Sequence, residues 1–144
     1  MTHEDEGHYA EKHSDARLNE QVASRIKAKA SNGQISCSSA HKIAADLDVA
    51  PAVVGVNADL LEMRIIKCQL GLFGYSSPRQ PVKSTLPVDQ ELQRMITASL
   101  VNGRLPCRAA WKIGAEFKLS KMEVAAACDS LEIKICTCQL GAFK

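Results

Sequence analysis

Aromatic residues are scarce in this chain: three Phe, two Tyr and one Trp among 144 residues. Any core must therefore be filled by Ala, Ile, Leu and Val, since hydrophobic types still make up 46% of the sequence. Long apolar runs are also missing. None approaches the roughly 20 residues a membrane-spanning helix needs, so no membrane partner is expected. The first residues are acidic and polar, unlike a secretory signal. Six Cys in such a chain are expected to be reduced thiols in the cytoplasm. An excess of one charge is lacking too: 18 Lys and Arg stand against 16 Asp and Glu, a formal net charge of +2. That balance permits a polyanionic partner without arguing for one, because nucleic-acid modules are often far more basic. No Gly-rich phosphate loop of the Walker type is present. No nucleophile–base pairing is evident, so neither an enzyme nor a cofactor is expected.

What the chain does have is a repeat. Asn32–Gly33 to Phe73 aligns with Asn102–Gly103 to Phe143 at a constant offset of 70 residues, without a gap. About 40% of those positions are identical, and a repeated block of that length is a small domain rather than one solenoid helix pair. The match is strongest at the end, where Cys68-Gln69-Leu70-Gly71-Leu72-Phe73 meets Cys138-Gln139-Leu140-Gly141-Ala142-Phe143. Two domains are expected, at 15–75 and 89–144, each near the lower limit for a self-sufficient core. The segment 1–14 carries His3, His8 and His13 among acidic residues and is expected to be a disordered tail. Pro78, Pro81 and Pro87 make 76–88 a semi-rigid linker.

Within each copy the periodicity predicts the same order of elements. A helix over Asp15 to Ser31 has Leu18, Val22 and Ile26 as its stripe and Asn32–Gly33 as its stop. Leu92, Ile96, Leu100 and Asn102–Gly103 repeat the pattern. Short extended pieces follow at Gln34 to Cys37 and Arg104 to Cys107, with Pro106 suited to a strand end. The second helix runs from Ser38 to Leu47, then breaks at Asp48–Val49. The third begins at Ala50–Pro51 in one copy and at a Ser120–Glu123 capping box in the other. Val54, Ala58 and Leu61, like Val124, Cys128 and Leu131, are expected to face inward. Ile65 to Cys68, a turn at Gln69–Gly71, and Leu72 to Tyr75 are expected to form a hairpin.

The order helix, strand, helix, tight turn, helix, hairpin resembles a winged helix-turn-helix domain. Lys42 to Val54 looks like the helix-turn-helix consensus, with a small residue in the second helix and Leu47 and Val49 framing the turn. Lys112 to Val124 repeats it, with Gly114, Phe117 and Leu119 in those places. The resemblance implies a mainly α fold with short β-hairpins (α+β): two tandem winged-helix domains, each a three-helix bundle. It further implies a DNA-binding, transcription-associated regulator, with the third helix entering the major groove. A minority of such folds instead pair proteins.

The residues qualify that expectation. A base-reading helix normally exposes Arg, Lys, Asn or Gln. Here the third-helix faces read as Ala52, Val53, Gly55, Val56 and Asp59, then Lys121, Met122, Glu123, Ala126 and Asp129. Phosphate contact is the mode left for duplex DNA, with Lys42, Arg64, Lys67, Arg108, Lys112, Lys121 and Lys134 as candidates. Ordinary solvated surface is the plainer reading of the same side chains. The alternative function is a protein-interaction adaptor using Ala52, Val53 and Val56. The cysteines read as small buried hydrophobes. Cys107, Cys128, Cys136 and Cys138, however, all fall in the second copy, so a four-thiolate metal site or thiol sensor is a third possibility. Cys136 and Cys138 would share a face of a regular strand.

Overall fold

The structure, a computed structural model, describes residues 8–13, 15–74 and 88–143. It is mainly helical with a few short strands. The elements are α1 (Glu20–Lys29), β1 (Gln34–Ser36), α2 (Cys37–Leu47), α3 (Pro51–Leu60), β2 (Arg64–Ile66), α4 (Gln90–Ala98), β3 (Leu105–Pro106), α5 (Cys107–Phe117), α6 (Lys121–Ser130) and β4 (Ile135–Cys136). A 3₁₀ turn, Tyr9–His13, precedes α1. The expected linker lies outside the described residues except for Val88.

The chain divides into two compact units. Unit 1 comprises Met1–Cys68, Phe73–Tyr75 and Gln139–Phe143, and unit 2 comprises Gln69–Leu72, Ser76–Cys138 and Lys144. Among the described residues the division departs from the expected 15–75 and 89–144: His8–His13 join unit 1, Val88 joins unit 2, Gln69–Leu72 count with unit 2 and Gln139–Phe143 with unit 1. Leu140 is buried in unit 1 and Leu70 in unit 2, at 1% and 2% exposure. In unit 1, Phe73 and Phe143 meet edge to face with ring centroids 6.1 Å apart. In unit 2, Gly71 lies against the side chain of Met122.

In unit 1, α1 starts at Glu20, not at the expected Asp15. The Asn19 side chain accepts hydrogen bonds from the N–H groups of Gln21 and Val22 and so fixes the start. Leu18, expected in the inward stripe, precedes that cap and is exposed. Val22 and Ile26 are fully buried with Ile35, Ala40, Ile43, Val54 and Ile65; burying a side chain of that size contributes about 1.5–3 kcal/mol. α2 ends at Asp48, in the left-handed conformation at φ 53°. The Val49 N–H then bonds back to the Ala44 carbonyl. This is the expected tight break, and Pro51 opens α3 at its first turn. Leu61 closes α3 as a half-buried cap residue and not as core.

Unit 2 repeats the plan. α4 buries Leu92 and Ile96, while Leu100 lies past its end. Lys118 closes α5 at φ 55°, and α6 carries the expected capping box between Ser120 and Glu123. Leu131 is again a half-buried cap residue. The backbone repeats as closely as the sequence: left-handed Asn32, Asp48, Glu62 and Lys67 recur 70 residues on as Asn102, Lys118, Glu132 and Thr137.

The strands depart from expectation. β1 pairs with β2 in parallel, Ile35 opposite Ile65, and β3 pairs with β4 in parallel, Leu105 opposite Ile135. A parallel pair needs a long crossover, which α2–α3 and α5–α6 supply. No antiparallel hairpin follows among the described residues. Lys67 at φ 53° turns the chain out of the extended conformation directly after Ile66. Two backbone bonds, Lys67 N–H to the Gly74 carbonyl and Cys68 N–H to the Phe73 carbonyl, then close a loop instead of a second strand. Thr137 does the same after Cys136. Consequently Cys136 and Cys138 do not share a regular strand face: Cys136 is buried and Cys138 half-buried.

Candidate nucleic-acid and partner interfaces

The third helices are covered more fully than their sequence suggests. In α3, Gly55 and Asp59, expected at the surface, are both buried. A Cβ at Gly55 would collide with the Leu140 carbonyl, so in unit 1 this stretch of α3 is occupied by backbone. Asn57 is also buried. Its amide donates to the Val53 carbonyl at 2.8 Å and its Oδ1 accepts from the Asn19 N–H at 2.7 Å, which ties α3 to the start of α1. In α6, five successive residues from Val124 to Cys128 are buried. At about 100° per residue such a run covers the whole circumference, so Ala126 is not the exposed position expected. Of the adaptor candidates, Ala52 is exposed, and Val53 and Val56 are half-buried.

The second half of α3 holds a cluster that sequence reading missed. The 3₁₀ turn Tyr9–His13 packs on α3, so the disorder expected over 1–14 does not extend to His8–His13. Tyr9 is 1% exposed. The Glu62 carboxylate accepts from the backbone N–H groups of Tyr9 at 2.9 Å and Ala10 at 2.8 Å. Asp59 Oδ2 meets His13 Nε2 at 2.6 Å and Lys12 Nζ at 3.4 Å. Burial pushes the Asp59 carboxyl above its ordinary value of 3.8, and the His13 hydrogen bond and the Lys12 charge only partly oppose this. The signal available in the sequence was Asn57 and Asp59 inside an otherwise apolar helix.

The seven candidate phosphate contacts separate into two groups. Lys42 is paired with Asp46 at 3.2 Å, Lys121 stacks over Trp111 at 4.3 Å from the ring centre, and Arg64 is half-buried on β2. Lys67, Arg108, Lys112 and Lys134 are exposed and form no ion pair among the described residues. Arg108 and Lys112 stand one turn apart on α5. Exposed Arg104 and Lys134 immediately precede the paired residues Leu105 and Ile135, so the two flank one end of that pair. The equivalent positions of the first copy hold Gln34, Ser38, Lys42 and Arg64.

The six cysteines form no disulfide among the described residues. No group of three or more His, Cys, Asp or Glu side chains among those residues is arranged to hold a metal, so Cys107, Cys128, Cys136 and Cys138 are not brought together as a ligand set. Burial, with the neighbouring Asp129 charge, pushes the Cys128 thiol up to about 11, which keeps it protonated and weakly nucleophilic at neutral pH. Among the described residues, no helix is long and apolar enough to cross a membrane. Comparison with protein-family models, curated proteins and solved structures finds no match.

Proposed function

We propose that the protein is a non-catalytic nucleic-acid-binding protein in which unit 2 makes the contact, through phosphates and without reading bases. The observation that carries this reading is the set Arg104, Arg108, Lys112 and Lys134: four exposed cations in one unit, with no ion pair among the described residues. Cations held by no carboxylate among the described residues are available to displace counterions from a polyanion, the sequence-independent source of binding to duplex DNA. The start of α5 adds to it. Its N-cap is Pro106, which offers no side-chain cap, whereas Ser36 caps α2 in the first copy; uncapped N–H groups favour a nearby anion. Glu116, one turn beyond Lys112, bounds the basic stretch. The tight turns between α2 and α3 and between α5 and α6 support the winged-helix resemblance. The buried third helices argue that any groove-reading role has been given up. A transcription-associated role rests on the resemblance alone.

Retention on duplex DNA at increasing salt is the direct test. Arg108→Ala with Lys112→Ala should flatten the log–log salt slope by about 1.8, at roughly 0.9 per lost phosphate contact. Lys42→Ala, in the first copy, should leave the slope nearly unchanged. Absence of retention even at low salt would remove this reading. The adaptor reading keeps one observation, the uncovered Ala52 with half-buried Val53 and Val56. It predicts that Val53→Asp and Val56→Asp abolish partner capture while folding persists.

A further inference from the structure

The turn Tyr9–His13 stands outside the repeat, yet α3 treats it as a ligand. Glu62 offers both carboxylate oxygens to two successive backbone N–H groups at the start of that turn, 2.9 and 2.8 Å away. A carboxylate at the beginning of a helical turn pairs with its exposed donors whatever the side chains are. Three residues before Glu62, which lies just past the helix, Asp59 near the end of α3 holds His13 and Lys12 by Oδ2, and its Oδ1, buried, has no hydrogen-bond partner among the described residues. Tyr9, the first residue of the turn, is buried at 1% exposure.

The repeat shows that the face does not need the turn in order to form. Asp59 and Glu62 recur as Asp129 and Glu132, with Glu132 in the same left-handed conformation as Glu62. Both unit 2 residues are exposed. The unit therefore builds its pair of carboxylates twice and buries the Asp only where the turn lies across α3.

We infer that this face of α3 is a docking surface for the N-terminal turn of a short helical peptide, and that His8–His13 is its resident occupant. The occupant's chemistry is set by the grips: an aromatic residue at the first position of the turn, free backbone N–H groups there, a cationic side chain three positions on and an imidazole four positions on. A partner protein carrying such a segment would enter by displacing the resident one. This surface lies in unit 1 and is independent of the phosphate contacts proposed for unit 2.

A tethered occupant competes at an effective concentration in the millimolar range, so the intact chain should resist a peptide added in trans. The test uses the full chain and a synthetic peptide with the sequence of residues 5–16, followed through the amide resonances of α3. Half-saturation should need at least ten times less peptide in Tyr9→Ala, or in the Lys12→Ala, His13→Ala pair, than in the parent chain. Adding Glu62→Gln to either background should weaken binding about tenfold, and a peptide with Ala in place of its Tyr should not bind. If both strap-weakened chains keep cooperative unfolding but show no peptide-dependent shift, the inference is wrong. If both lose the fold of unit 1, His8–His13 is part of the core and the inference is equally wrong.

Discussion

Gly55 and Ala125 occupy the same position of the repeat, and both are buried. In mid-helix, Gly ordinarily costs about 0.5–1 kcal/mol relative to Ala. Gly55→Ala should nevertheless destabilise unit 1, by about 1–3 kcal/mol, because the added Cβ runs into the Leu140 backbone and overpacks the site. Ala125→Gly should cost about 1–2 kcal/mol, the propensity term plus the loss of a buried methyl group. Urea denaturation of the two variants compares them, and a stabilising Gly55→Ala would show that the Leu140 segment does not press on α3. Asp59 makes a second residue-scale argument. Its folded pKa is raised above 3.8 by burial, so its contribution to stability is fully present below the unfolded value and is lost as pH rises through the folded one. Subtracting the stability of Asp59→Asn from that of the parent chain, pH by pH, should give a curve that falls as pH rises from about 3.8, the unfolded value. A curve that rises instead would mean that His13 and Lys12 outweigh burial. At Cys128, burial and a thiol pKa of about 11 predict slow alkylation at neutral pH in the folded chain. Half-buried Cys138 should be the first cysteine labelled in a time course read by mass spectrometry.

Helices were the legible elements, and the reasons are local. The spacing of Val22 and Ile26 or Leu92 and Ile96 marks a face, and Pro51 or the Ser120–Glu123 box marks a start. Ser120→Ala should cost about 1 kcal/mol through loss of its hydrogen bond to the Glu123 N–H, seen as a lower melting midpoint. α1 begins five residues beyond the expected Asp15: Asp15 and Leu18 fit the helical period, but Asn19 caps more strongly than either prolongs. The wing failed for a different reason. Nothing in the residue types of Lys67 or Thr137 announces a positive φ, yet that one torsion at each place ends the strand and prevents a hairpin. Parallel pairing of β1 with β2 is likewise set by the crossover of α2 and α3, a non-local matter that a run of Ile65 and Ile66 does not encode. At the candidate site the cations were visible as types. Of their partners, Asp46 stands one turn from Lys42 on the expected second helix and is legible at that spacing, whereas Trp111 beneath Lys121 emerges only when two helices are placed together. The grip on Tyr9–His13 was hidden because 1–14 has the composition of a tail, and two carboxylates far along the chain give part of it a place to dock.

At the scale of the molecule, duplication has kept the frame and redistributed charge. Leu105 pairs with Ile135 as Ile35 does with Ile65, so the positions of Arg104 and Arg108 have direct counterparts in Gln34 and Ser38. Ser38 is exposed and Gln34 half-buried, and neither is part of the unit 1 core. If phosphate contact by unit 2 is the protein's mode of binding, the capacity should be transferable. Gln34→Arg with Ser38→Arg in the full chain should steepen the salt dependence of retention on duplex DNA, by up to about 1.8 in log–log slope if both new cations meet phosphates. The gain should be equal on unrelated sequences, because phosphate contacts carry no base information. Net charge alone gives a control: two Arg placed instead at Gln21 and Ser24, exposed positions of α1, change the total identically but lie on another element. Equal steepening by both pairs would mean that retention follows overall charge and that unit 2 has no dedicated surface. Steepening by Gln34→Arg with Ser38→Arg alone would locate the contact at the strand end and the start of the second helix.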